Sequence, residues 1–170
     1  IRTALAPARL HTPDCVGIKI NFSQQSFQVT HPKSLVTFHN IEDNVQKLLS
    51  EGQNNEAIQV LINGLCNEEI TVKRKSDLYK ILVETYSKLE LFDDAIRVNK
   101  QWINHCITYS LSSDKRLARM YTLLAKLQAS ITGYEEDALA SLKKAMQYDS
   151  DSEFYTKLYD TFVETFEARK

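Results

Sequence analysis

Four histidines and three cysteines are the side chains of this 170-residue chain best suited by type to proton transfer or nucleophilic attack near neutral pH. Either chemistry needs such groups close together, with a base placed to accept a proton. His11, His31, His39 and Cys15 crowd into the first forty residues. His105 and Cys106 stand side by side near the end of a helical pattern, where adjacent side chains point about 100° apart and cannot form a dyad. Cys66 and Cys106 lie on or beside apolar faces and read as small buried hydrophobes. Cys15 has no motif beside it.

Metal and phosphate chemistry finds no pattern either. There is no CxxC, HExxH or calcium-loop spacing. Asp93-Asp94 and Glu135-Glu136-Asp137 resemble ligand clusters, yet each stands where a helix begins, and the helix dipole favours carboxylates there. The four glycines are isolated and cannot build a phosphate cradle, so no cofactor or nucleotide is expected. "VKRK" at 72–75 is the only basic run and reads as a solvated linker ahead of a helix.

The bulk composition is that of a globular chain rather than a disordered one. Hydrophobic residues make up 43% and charged residues 25%, enough apolar content for one domain with its own core. A formal charge of -1 provides no global field for nucleic acid or acidic lipid. No apolar run approaches the roughly 20 residues that span a bilayer. Three scattered cysteines make no disulfide framework, so a cytoplasmic or other intracellular compartment is expected. The first residue is isoleucine, which suits a fragment or a processed chain.

All three prolines fall in the first forty residues, and the chain changes character there. Residues 1–40 carry four basic groups against one acid, and "VGIKINFSQQSFQVT" alternates in two short bursts that suit a β-hairpin or an extended arm. Residues 41–170 follow a helical period instead. Ile41, Val45, Leu48 and Leu49 share a face that stops at Gly52, a natural C-terminal cap. Asn54 or Asn55 caps the next helix, with Ala57, Ile58, Leu61, Ile62 and Leu65 inside. Further stripes run through Leu78 to Leu89, Ala95 to Cys106, Leu117 to Ile131 and Ala138 to Met146. Thr132 with Glu135 and Ser150 with Glu153 fit capping boxes. In the last helix Phe154, Leu158, Phe162 and Phe166 share a face. Seven helices with short links are expected.

Aligning the helix pairs on Ala57, Ala95 and Ala138 gives intervals of 38 and 43 residues. Units that cannot bury their apolar face alone stack on one another. The pattern resembles the tetratricopeptide repeat, a helix–turn–helix of about 34 residues. Val83, Tyr86 and Ala95 match its small, aromatic and alanine positions, after which Asn99 and Trp102 depart from it. Val45, Leu48, Ala57, Leu61 and Gly64 match in the first unit. Ala125, Gln128, Ala138, Leu142 and Ala145 match in the third, with one extra residue in the turn. Another array of helical pairs would leave the same degenerate pattern. The resemblance implies an all-α, right-handed superhelical array of antiparallel helix pairs, preceded by the N-terminal arm and closed by a capping helix.

It also implies a function. In that family the first helices line a concave groove that binds protein or peptide. The corresponding residues are Asp77, Lys80, Glu84, Ser87 and Lys88 in the second unit. In the third they are Arg119, Thr122, Lys126, Ala129 and Ser130, and in the first Glu42 and Gln46. Glu84 replaces the asparagine of a carboxylate-gripping version and argues against one there. The expectation is a non-enzymatic scaffold or adaptor, within a larger complex or a homo-oligomer. Lys80, Glu84, Lys88, Arg119, Lys126 and Phe166 are the partner-facing residues, and no nucleic acid is bound. The rival reading is an enzyme domain whose site combines the arm and the helices through His31, His39 or Cys15.

Overall fold

Every stretch after residue 40 in which apolar side chains recur at three- and four-residue spacing is a helix. The computed structural model describes residues 41–169. The expected arm or hairpin, with His11, His31, His39 and Cys15, lies outside the described residues. Seven helices follow in order: α1 (Ile41–Ser50), α2 (Asn54–Cys66), α3 (Val72–Lys88), α4 (Phe92–Thr108), α5 (Asp114–Ala129), α6 (Glu135–Tyr148) and α7 (Glu153–Glu167). Among the described residues there is no strand, and no helix is long and apolar enough to cross a membrane.

Helix ends show where local chemistry decides. Gly52 closes α1 with φ +73°, while its N–H bonds Leu49 O and the N–H of Gln53 bonds Leu48 O. This is a Schellman cap, in which a left-handed residue lets two orphan carbonyls be satisfied. The same pair of bonds ends α3, from Glu90 to Ser87 and from Leu91 to Tyr86. It ends α4 too, from Ser110 to Ile107 and from Leu111 to Cys106. There the left-handed residues are Glu90 (φ 59°) and Ser110 (φ 51°), which carry no signal a sequence reader would trust.

Several N-terminal expectations need correction. "VKRK" is not a linker but the first turn of α3, because Thr71 caps it by accepting the Arg74 N–H at 3.3 Å. The residue before α2 is Gln53 rather than an asparagine, and its side chain makes no capping bond. Ser150 does not cap α7, since its hydroxyl bonds the Asp151 carboxylate and the helix opens after Ser152. Glu135 does reach back to a backbone N–H, that of Gly133 at 2.9 Å, while α6 starts after Tyr134 without a side-chain cap.

Consecutive helices pack on each other, most extensively α5 with α6 and α3 with α4. The α3–α4 seam is antiparallel and polar at one end. Trp102 Nε1 donates to Ser76 Oγ at 2.9 Å, and His105 Nε2 meets the Val72 carbonyl at 2.8 Å. A carbonyl can only accept, so this nitrogen of His105 carries the proton. Between α5 and α6, buried Ser141 donates to Gln128 Oε1 at 2.7 Å. Side chains at aligned places in the helix pairs are buried together. Val45, Val83 and Ala125 are at 0% exposure, as are Ala57, Ala95 and Ala138. The small groups let neighbouring helices approach, and the close approach excludes water from the larger ones.

The last helix is rotated from its expected phase. Tyr155 and Phe166 are its buried residues, whereas Phe154, expected on one face with Phe166, is 57% exposed. Eleven residues make three helical turns, so Tyr155 and Phe166 share one edge. Tyr155 occupies the space that Ala118 and Ala145 leave free, beside Tyr121, Met146 and Tyr148. An alanine pair opposite a tyrosine sets the rotation of α7, and Phe154 is turned outward in consequence.

Candidate functional site

The expected strip of partner-facing residues divides into two parts with different surroundings. On α3, Lys80 and Glu84 are one turn apart and pair with each other at 3.8 Å. Lys88 is exposed in the last turn of the same helix, where its charge favours the helix end. Glu42 of α1 is held by Arg74 of α3 at 3.0 Å, so its charge is already met.

On α5 the arrangement differs. Arg119, Thr122 and Lys126 line an open groove of about 520 Å³, and Lys115 and Leu123 complete that wall. These residues recur at helical spacing and therefore share a face. The opposite wall is the entry to α7, with Asp149, Ser152, Phe154 and Tyr155. Two contacts make α5 and α7 run in the same direction. Tyr155 packs beside Ala118 near their N-terminal ends, and the Arg169 guanidinium donates to the Ala129 carbonyl at 3.4 Å near their C-terminal ends.

The electrostatics of the groove are lopsided. Three cations face one carboxylate, Asp149, and Lys115, Arg119 and Lys126 belong to none of the ion pairs among the described residues. Tyr155 also lines the groove and is buried. Burial pushes its pKa above the ordinary tyrosine value, Asp149 pushes it further, and Arg119 pulls it back. It therefore stays neutral at physiological pH. Thr122 is not a free donor, because its hydroxyl bonds the Ala118 carbonyl at 2.9 Å. Ser130, another expected groove residue, is likewise turned to its own helix through the Lys126 carbonyl.

Phe166, the expected partner-facing residue of α7, is one of the buried residues of that helix. It is 6% exposed, with Phe162 edge-on at 5.5 Å and the Arg169 guanidinium 5.7 Å from its ring centre. Phe154 presents the exposed aromatic surface of α7 instead. The sequence reading thus missed Lys115 and Leu123 on the α5 wall and the whole opposite wall, Phe154 included. Lys115 was accessible to it, being one turn before Arg119. Phe154 was not, because seven apolar residues on α7 admit more than one inward face.

The remaining reactive groups serve the architecture. His105 is buried between Tyr79 and Tyr109, with ring centres at 5.4 and 4.8 Å. Buried Cys106 has its sulfur 3.3 Å from Ser76 Oγ, so the thiol belongs to the α3–α4 seam. Cys66 is exposed at the end of α2, not buried as expected, because Gly64 and Leu65 take the inward places of that last turn. Among the described residues no three histidine, cysteine or acidic side chains converge on a point a metal ion could occupy. No protein-family model matches the chain, and no curated protein matches it significantly. What the described residues define is an all-helical fold with an open, basic groove.

Proposed function

We propose that this protein is a non-enzymatic interaction scaffold or adaptor, built as a tetratricopeptide-like stack of helix pairs. It takes a protein or peptide partner in the groove between α5 and the start of α7. The observation that carries the reading is the set of unpaired cations Lys115, Arg119 and Lys126 along one open face of a rigid helix. Buried small residues at matching places in successive pairs support the repeat: Ala57, Ala95 and Ala138 in the second helices, and Val45, Val83 and Ala125 in the first. Antiparallel α3 and α4, followed by α5 and α7 running in one direction, suit such a stack. Open grooves with charged rims steer association and select partners, whereas catalysis requires convergent polar groups shielded from water.

The test uses the full chain as bait in affinity capture, read by mass spectrometry, beside two charge-reversed variants. Arg119→Glu with Lys126→Glu should lose partners while helicity and melting stay unchanged. Lys88→Glu, a reversal on the self-contained part of the strip, should retain them. Identical capture by all three baits would remove the groove from the proposal.

A further inference from the structure

We infer that the occupant of the α5–α7 groove is a short acidic segment of a partner protein, bound in extended conformation with one apolar side chain against Phe154 and Leu123. This rests on the scaffold reading above and adds the chemistry of the partner. Lys115, Arg119 and Lys126 lie on one wall of the groove. Helix rise places the first two about 6 Å apart and the last two about 10 Å apart. Alternate residues of an extended chain are about 7 Å apart, so two carboxylates at alternate positions meet Lys115 and Arg119. A third, further along, meets Lys126. The whole strip is about 16 Å long, or some five residues of extended chain.

The apolar end of the groove is fixed by the fold. Because Tyr155 seats the start of α7 beside Ala118, Phe154 stands at the end of the strip near Lys115 and Arg119, with 57% of its surface exposed. Its ring meets buried Tyr155 edge-on at 5.2 Å and leaves its other side open, and an exposed aromatic next to unpaired cations suits a ligand that is acidic and apolar in adjacent residues. Neutral Tyr155 and the inward-turned Thr122 add no competing charge.

Other occupants match less well. A nucleic acid strand would lay phosphates beyond three cations, and it would meet the Asp149 carboxylate in the groove itself. Residues 1–40 of this chain carry a net charge of +3, which the groove would repel. A second copy could offer Glu135, Glu136 and Asp137, but these stand in the first turn of α6 rather than in an extended segment.

The experiment measures fluorescence anisotropy of a labelled peptide, about eight residues long, with glutamates at alternate positions and one phenylalanine. The full-length chain should bind it at low ionic strength. A glutamine counterpart should bind at least about ten-fold more weakly, as should the original peptide to the Arg119→Glu/Lys126→Glu variant. Phe154→Ser should weaken binding several-fold, and that loss should persist at about 0.5 M salt, where the charge effects shrink. Lys88→Glu should change nothing, and circular dichroism should show every variant folded. Equal affinity for the glutamate and glutamine peptides would overturn the inference, as would tighter binding of a single-stranded RNA of the same length. Self-association in sedimentation that the double reversal abolishes would assign the groove to a second copy and overturn it as well. Loss of captured partners on reversal, without any preference for acidic peptide, would leave the scaffold reading standing and remove only the acidic segment.

Discussion

Gly64 of α2 approaches Leu78 of α3 so closely that a Cβ on Gly64 would lie 2.8 Å from Leu78 Cδ1. Two effects of opposite sign follow for Gly64→Ala. Helix propensity favours alanine by about 1 kcal/mol, while overpacking costs about 1–3 kcal/mol. Leu78 is fully buried, and Ile41 and Ile70 also border the site, so the clash should win. The expected outcome is a net loss of about 1 kcal/mol in urea unfolding. In a double-mutant cycle, Leu78→Ala should make the added methyl favourable by a similar amount. Strict additivity would mean that the two residues do not share a packing site.

Asn99 should be replaceable with profit to stability. It is wholly buried on α4, and neither side-chain amide atom has a hydrogen-bond partner. The aligned places in the first and third pairs hold Leu61 and Leu142, both wholly buried as well. An unsatisfied buried polar group costs about 1–3 kcal/mol, and leucine has the same branched arrangement of side-chain heavy atoms, although its methyl groups are bulkier. Asn99→Leu is therefore expected to raise unfolding free energy by about 1–2 kcal/mol. A chemical denaturation midpoint at or below that of the parent would refute this.

The left-handed caps of α3 and α4 make a second stabilising pair. A side-chain-bearing residue in that conformation costs about 1–2 kcal/mol, against about 0.5–1 kcal/mol for the extra freedom glycine loses on folding. Glu90→Gly and Ser110→Gly should each add roughly 0.5–1 kcal/mol, without altering helical content. Gly52→Ala, at φ +73°, should do the reverse, although no atom stands within 4 Å of the new methyl. Thermal melts of the three variants would check the ordering, and a stabilised Gly52→Ala would contradict it.

Stability should fall in alkali. Burial raises the pKa of Tyr86, Tyr121 and Tyr155 above 10.0, with Asp94, Tyr148 and Asp149 respectively raising them further. A group whose pKa is higher in the folded state contributes stability that is complete below its unfolded pKa. That contribution disappears as pH rises through the folded value. The melting temperature should therefore be insensitive to these groups near neutrality and decline above about pH 10. Tyr86→Phe should decline less steeply than the parent. Parallel declines for both proteins would show that Tyr86 does not take part.

The helices were legible because their cause is local. A period of three and four, the absence of proline after Pro32, and Gly52 at a Schellman cap need no knowledge of distant residues. The same holds for the alanines and valines at the close approaches, since one amphipathic stripe on a helix of ordinary width leaves a single choice of inward face. Where two choices remained, the sequence could not decide. Phe154 and Tyr155 are adjacent aromatics, and only the space beside Ala118 and Ala145 selects Tyr155 for the interior and exposes Phe154. Lys80 and Lys126 looked alike as surface lysines on first helices. One is paired by Glu84 of its own helix, and the other faces a groove whose second wall comes from α7. Local sequence dictates which face of a helix is apolar, but a binding surface requires two elements to meet. That meeting is set by side-chain volumes far apart in the chain.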